Sequence, residues 1–307
     1  MVRSSSAVEE KTVEGSVINT ATLKLLLIIS LYYPLSIGLT FYQKAFLNVY
    51  GLPLFVVAGH YLFKYFLASI LRCFLECFCG RRSRISLKEQ LRWLTPIGIC
   101  ASLDIGLSNW GLEYVTVSLY TMGKSTSILF IVAFSLLFHL ERWRASLGFA
   151  TGCIAFGLFL FTWRASQFDP LGFFLIELAS ACTGVRWTVS QMVMQREDQT
   201  LRNPIDMIVH VQPWMLLAIV PLVYIFEGSK ISFTRLFSCG ETFAPVEVFI
   251  FIAIGGLLAF AMEMSEYLLL VTTSGITLNI FGIIKEVVTL LLAHIINDDR
   301  LSVVCSF

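Results

Sequence analysis

The sequence predicts an all-α polytopic membrane protein of two five-helix repeats in opposite orientation, with nine spans present in its 307 residues and the tenth missing. Three observations predict it. Hydrophobic residues make up 57% of the chain and charged residues 14%, where a soluble domain carries about 25% charge. With a mean hydropathy of +0.78 there is too little polar surface to cover a globule of this size. Nine apolar runs approach the ~20 residues that a helix rising 1.5 Å per residue needs to cross ~30 Å of hydrocarbon. Finally, two runs five apart, the fourth and the ninth, each carry one lysine at a similar depth. The formal net charge of +1 gives no support to a nucleic-acid binder, whose basic footprint would have to be large.

The first run, residues 23–43, follows a segment with Glu9, Glu10, Lys11 and Glu14 and no basic-then-apolar pattern. Residues 1–22 are therefore expected to be a cytosolic N-terminal tail rather than a cleaved leader, with the first run as signal anchor. The second run, 53–75, carries His60 and Lys64, four apart and so on one helix face. The third, 93–112, carries Asp104 and Asn109; the fourth, 117–140, carries Lys124; the fifth, 145–163, closes a first repeat over 23–163. In the second repeat, 170–307, the sixth run (170–194) holds Arg186 and Trp187 and the seventh covers 207–226. The eighth (246–270) holds Gly255, Gly256, Glu263 and Glu266, and the ninth (275–296) holds Lys285. Strand-like alternation is absent, so a helical bundle is the economical solution to satisfying the backbone in lipid.

Charge placement orients the chain. With alternating loops, thirteen Lys and Arg fall on the side of the N-terminus and five on the other, which places the N-terminus in the cytosol. The remaining four cations, Lys64, Lys124, Arg186 and Lys285, lie within spans.

Most of the eight cysteines lie in or beside spans and are expected to act as buried small hydrophobes. Cys73, Cys77 and Cys79, beside Arg81, Arg82 and Arg84, are alternative candidates for palmitoylation. No metal-ligand spacing, Walker loop, HExxH or GxSxG pattern is present. No cofactor is expected, and an enzyme is not the expected class. Gly255, Gly256, Gly275 and Gly282 are expected to permit close helix packing.

Internal symmetry pairs Glu113 and Tyr114, followed by the Lys124 helix, with Glu266 and Tyr267, followed by the Lys285 helix. Ser118, Thr121, Lys124 and Ser125 share one face of the first helix, and Asn279, Gly282, Lys285 and Thr289 one face of the second. Because five spans are odd in number, the second repeat enters from the opposite side, the arrangement of secondary transporters with a central site. An intramembrane lysine costs about 2.5–3.5 kcal/mol on insertion scales and usually marks a pathway or a partner. Two lysines facing one cavity suit a phosphate or diphosphate. The competing reading for each is an ion pair inside the bundle: Glu286, Glu263 and Glu266 are near for Lys285, and Glu113 is the nearest acid in sequence to Lys124. For Lys64 and His60 the simpler reading is pairing with an acid and bonding to a backbone carbonyl; for Asp104 and Arg186 it is one structural ion pair.

At these residues the chain resembles a family. The stretches Phe41 to Lys44, Ala101 to Trp110, Val115 to Lys124, Arg186-Trp187, Asn203 to Asp206 and Gly282 to Lys285 resemble the drug/metabolite transporter superfamily. Within it they are similar to the triose-phosphate translocator and nucleotide-sugar transporter group, nearest to the GDP-fucose-transporter-like C branch of solute carrier family 35. The resemblance implies a ten-helix antiporter of the Golgi or neighbouring secretory membranes, taking a nucleotide-sugar into the lumen and returning a nucleoside monophosphate. It implies phosphate contacts at Lys124 and Lys285, and at Gly282 a small residue that lets a nucleotide approach. Tyr120, Thr121 and Asn279 are expected to line the cavity, with His60, Lys64, Asn109, Arg186 and Tyr267 as further cavity or gating residues. Expected partners are these two nucleotides, the bilayer, and a second copy or a related transporter. Glu286 stands where sugar-phosphate translocators carry arginine, which weakens a triose-phosphate assignment. The chain ends at Phe307 before the family's tenth span, which leaves a second expectation: a non-transporting modulator of a related transporter or of glycosylation.

Overall fold

The computed structural model describes residues 2–80, 85–111, 114–115, 117–164, 169–196, 201–231, 245–282, 284–285 and 288, without the side chains of residues 2–21 and of some others, among them Lys44, Cys79 and Thr121. The described chain is helical throughout: α1 (Val2–Tyr50), α2 (Pro53–Cys79), α3 (Leu87–Gly111), α4 (Val117–Ser125), α5 (Ser127–Leu137), α6 (Ala145–Arg164), α7 (Pro170–Met194), α8 (Pro204–Glu227) and α9 (Pro245–Thr272). A further helix, α10, follows over residues 275–282.

Local chemistry sets the helix ends. Asp169 and Asn203 accept the amides of Gly172 (2.8 Å) and Ile205 (3.0 Å), with Pro170 and Pro204 in first position, so α7 and α8 start on capped turns. The Ser86 hydroxyl accepts the Glu89 amide at 3.4 Å and donates to the Glu89 carboxylate at 3.1 Å, a side-chain cap at the start of α3. Between α1 and α2 the chain turns at Gly51, φ 67°, a conformation that glycine adopts without a Cβ clash.

Among the described residues, four segments are long and apolar enough to cross a membrane: Thr22–Leu47, Pro53–Phe78, Pro204–Lys230 and Val246–Thr272. At 25 residues α3 and α7 are long enough too. They are less apolar because they carry inward polar groups: buried Ser102, Asp104 and Ser108 on α3, and buried Ser180, Thr188, Ser190 and Gln191 on α7. Large apolar side chains such as Leu27, Phe66, Phe149, Leu217 and Phe249 are exposed around the bundle, as a lipid-facing surface requires. The protein is a multi-pass membrane protein.

The helices pack as interleaved pairs: α3 on α7 and α8, α2 on α8 and α9, α1 on α9, and α4 and α5 on α7. One main core of Leu94, Ile97, Ile131, Met207, Val211, Met215 and their neighbours fills the centre. A Cβ added at Gly98 would stand 2.7 Å from the Trp214 carbonyl carbon, and one at Gly172 2.6 Å from Tyr114 Cβ, so these glycines set how closely helices approach.

The run 117–140, expected as one helix, is broken at Thr126. Three donors converge on the Gly123 carbonyl: the Thr126 amide (3.1 Å), the Thr126 hydroxyl (2.6 Å) and the Ser180 hydroxyl from α7 (3.0 Å). With that acceptor taken, α4 ends and α5 restarts. A polar interruption inside a span is tolerated where buried side chains satisfy the freed backbone groups.

Cysteine placement departs from expectation. Cys73, Cys77 and Cys153 are exposed rather than buried, because their helix faces point outward, where a thiol is apolar enough to meet lipid. Cys79 and the neighbouring arginines 81, 82 and 84 lie outside what is described at side-chain level, as do Glu113, Glu286 and residues 289–307.

Candidate functional site

Lys124 occupies the last turn of α4, directly before the break at Thr126. There its charge meets the carbonyl ends of the helix, a favourable placement for a cation. Its ammonium is in direct contact with Asp104 Oδ1 of α3 and donates to Ser108 Oγ at 3.1 Å, while the Ser108 hydroxyl donates to Asp104 at 3.4 Å. The expected partnership of Asp104 with Arg186 is therefore corrected. Asp104 lies one helix away from Lys124 and 20 residues back in sequence, a distance that spacing within one helix cannot reveal, whereas Glu113 lies outside the described residues.

Released from Asp104, Arg186 on α7 stacks its guanidinium over the Trp187 ring, 4.8 Å from the centroid. Its Nε is buried without a hydrogen-bond partner among the described residues. Trp187 in turn meets Tyr267 of α9 edge-on at 6.2 Å, and Tyr267 is fully buried with its hydroxyl unpaired among the described residues.

On α2, Lys64 is ion-paired to Glu263 of α9 at 2.6 Å, and the Gln212 side chain of α8 donates to the same Glu263 oxygen at 2.7 Å. The Lys64 ammonium also lies 4.6 Å from the Tyr61 ring. His60, one turn earlier, is buried against Gly255, with its Nε2 unpaired among the described residues. Gly255 and Gly256 receive the His60 and Phe63 side chains, the close approach expected of them.

Residues 275–282 bring the remaining candidates into place. The Gln191 carbonyl oxygen of α7 accepts the Gly275 amide at 2.8 Å, and Ser274 accepts the Thr277 amide, so α10 begins on two side-chain caps. Asn279 turns back to donate to the Gly275 carbonyl at 3.0 Å. Gly282 is not a close-packing glycine among the described residues: a Cβ there would meet only Tyr32 Oη at 3.9 Å. Lys285 is half-buried and acts electrostatically on Glu266, as do Arg186 and Lys64. Asp104, Arg186 and Glu263 all lie within electrostatic reach of Tyr61. Direct contacts thus join Lys124 to Asp104 and Ser108, and Glu263 to Lys64 and Gln212, while Arg186 and Lys285 act on Glu266 through space.

Tyr120 is half-buried against a small cluster of Val115, Leu119 and Ile176, and Asn109 is half-buried near the end of α3. The side chain of Thr121 lies outside the described residues. Gln191 was missed in the sequence, and the partner of Asp104 was misassigned. Gln191 is an unremarkable polar residue on a long helix until its acceptor is seen on Gly275. Asp104 was singled out only as a structural partner for the wrong cation.

Comparison with known proteins gives the family. The model of the Triose-phosphate Transporter family matches residues 23–307. A "probable sugar phosphate/phosphate translocator" of Arabidopsis thaliana is 29% identical over 276 residues, covering 88% of this chain and 66% of that protein. The Arabidopsis thaliana "nucleotide-sugar uncharacterized transporter 1" is 28% identical over 265 residues, 84% of this chain and 63% of its own length. "UDP-uronic acid transporter 1" of the same plant is 24% identical over 282 residues, 90% and 88% respectively. The chain thus spans about two thirds of the first two relatives. The match over nearly the whole chain, on an all-helical membrane bundle with a charged interior, shows that this chain belongs to the Triose-phosphate Transporter family.

Proposed function

We propose that the chain is a secondary-active antiporter that moves a nucleotide-sugar, GDP-fucose-like in character, into the Golgi or secretory lumen in exchange for a nucleoside monophosphate. The observation that carries the reading is Arg186. A guanidinium buried in a membrane bundle, with its Nε unpaired among the described residues and Glu263 and Glu266 acting on it only through space, keeps donors for an anion. Trp187 and Tyr267 beside it supply aromatic faces on which a base or sugar ring can lie. Lys124 and Lys285 are the proposed phosphate contacts, with Tyr120, Thr121, Asn279 and Gly282 lining the cavity. The open space at Gly282 suits the approach of a nucleotide. Relatives named for sugar phosphates, nucleotide-sugars and a UDP-uronic acid share one ligand feature, a phosphate ester on a sugar.

Helix packing supports inverted repeats. Exchanging α1 with α7, α2 with α8, α3 with α9, and the α4–α5 unit with α10 turns α1·α9 into α7·α3 and α2·α9 into α8·α3, and leaves α2·α8 unchanged. The α5·α7 contact becomes α1·α10, seen where the Tyr33 hydroxyl donates to the Phe281 carbonyl at 3.4 Å. Such an exchange is the geometric basis of alternating access. Thermal unfolding of the purified protein in detergent tests the ligand class, with GMP, UMP, CMP, GDP-fucose and inorganic phosphate as probes. Stabilisation by one nucleotide above the others, lost in Arg186→Gln, is expected. Equal melting in all of them contradicts the reading.

A further inference from the structure

Two thiols near the end of α2 take no part in the site. Cys73 and Cys77 are both exposed and one helical turn apart. They continue the exposed line of Phe66 and Ile70, with Phe74 and Phe78 beside it. Spacings of four, three and four residues keep Phe66, Ile70, Cys73 and Cys77 on one face of the helix, the face turned to lipid. Arg72 and Glu76 turn the other way: Arg72 reaches Glu76 at 3.5 Å and Asp206 of α8 at 3.4 Å. The apolar span of α2 ends at Phe78, so at a rise of 1.5 Å per residue Cys77 lies about 1.5 Å and Cys73 about 7.5 Å inside that end. Cys73 also lines an open cleft of about 350 Å³ shared with Ser69, Arg72, Gln90 and His210, polar groups that carry the aqueous boundary to its depth. Beyond α2 the sequence continues with Arg81, Arg82 and Arg84, its densest basic stretch, on the side expected to be cytosolic.

We propose that this end of α2 faces the cytosol and that Cys73 and Cys77 are S-acylation sites, each taking a long-chain fatty acyl group from acyl-CoA. Because both thiols already face outward, an acyl chain can lie in lipid along Ile70 and Phe74 without displacing a packed side chain. The basic stretch attracts the phosphates of CoA and anionic head groups to the same end of the helix. Transfer needs no redox partner: the cysteine sulfur bonds to the acyl carbonyl carbon, the bond from that carbon to the CoA sulfur breaks, and the thiol proton leaves on CoA. A membrane acyltransferase of the cell carries the group in two such exchanges. Cys153 supplies the contrast within the chain: it is exposed too, but lies eight residues into α6, about 12 Å from the helix start, too deep for a donor at the interface. Depth, rather than exposure alone, selects the modified thiols. The proposal is independent of the transport reading, since the contact of Arg72 with Asp206 and the residues of the site are untouched by it.

The experiment uses the full chain expressed in eukaryotic cells. Free thiols are blocked with a maleimide in SDS, thioesters are cleaved with hydroxylamine, and the released thiols are tagged with a maleimide polymer of known mass. Wild type is expected to show two mass steps that depend on hydroxylamine. Cys73→Ser and Cys77→Ser should each remove one step and the double variant both, while Cys79→Ser and Cys153→Ser leave the pattern as it is. The double variant should melt like wild type, since both thiols face outward. Cys73→Ala/Cys77→Ala, which keeps the lipid face apolar, covers the case in which the serine double variant is not recovered folded. Folded wild type without a hydroxylamine-dependent step overturns the proposal. Steps that persist in the double variant, or that are lost in Cys79→Ser or Cys153→Ser, place the modification elsewhere and overturn it as well.

Discussion

Lys64 and Glu263, 199 residues apart in sequence, meet 2.6 Å apart between α2 and α9, with Gln212 of α8 bonded to the same carboxylate oxygen at 2.7 Å. One carboxylate therefore ties three helices from both halves of the chain. Removing either charge strands the other in the interior, at a cost of about 3–5 kcal/mol. Glu263→Gln and Lys64→Met should each lower the melting temperature in detergent markedly. The double variant Lys64→Met/Glu263→Leu should recover much of the loss, and a double variant no better than the singles would contradict the pairing.

The opposite ends of α2 and α8 are fastened differently. The Glu227 carboxylate, at the end of α8, accepts the amides of Leu54 (2.7 Å) and Phe55 (2.9 Å), and so caps the first turn of α2, whose own N-cap Leu52 offers no acceptor. Toward the other end, Arg72 reaches Asp206 at 3.4 Å and the His210 ring at 3.3 Å. Glu227→Ala should cost about 1–2 kcal/mol and raise amide hydrogen exchange at residues 54 and 55. Unchanged protection there would show that the cap contributes nothing.

Close helix approach makes a graded pair of substitutions. Gly98→Ala forces a methyl onto the Trp214 backbone at 2.7 Å, where no flexible side chain can give way. A loss of about 1–3 kcal/mol is expected. Gly38→Ala, with nothing within 4 Å among the described residues, should be neutral or slightly stabilising by helix propensity. Their melting temperatures measured side by side check the α3–α8 packing.

Much of this architecture is legible in the sequence because spans obey one-dimensional rules. The sixth run, 170–194, coincides with α7, and the fifth, 145–163, falls one residue short of α6, since Asp169-Pro170 and the flanking arginines write helix ends into local composition. The break at Thr126 was not legible. It depends on Ser180, 54 residues away, donating to the Gly123 carbonyl, and hydropathy alone reads 117–140 as continuous. Pairing of charges was legible where acid and base have few competitors, as with Lys64 and an acid. It failed for Asp104, where two cations, Lys124 and Arg186, were in range and only the packing of α4 beside α3 decides between them. Which helices touch is the information that periodicity lacks.

The break itself is testable. Thr126→Val deletes the hydroxyl that donates to the Gly123 carbonyl at 2.6 Å and is within 3.0 Å of Glu177. Losing the bonds should cost ~1–2 kcal/mol, and α4 is expected to lose its fixed end, displacing Lys124 and weakening the binding of GMP or GDP-fucose. Unchanged thermal stability together with unchanged nucleotide-induced stabilisation would contradict a role for the break in placing Lys124.

Counterflow in proteoliposomes tests the central claim most directly. Vesicles loaded with GMP and challenged with labelled GDP-fucose should accumulate label in the wild type, and accumulation should be lost in Lys124→Ala, Arg186→Gln and Lys285→Ala that retain their fold by thermal unfolding. Counterflow undiminished in all three, or absent from folded wild type with every nucleotide and sugar phosphate supplied, would contradict the account.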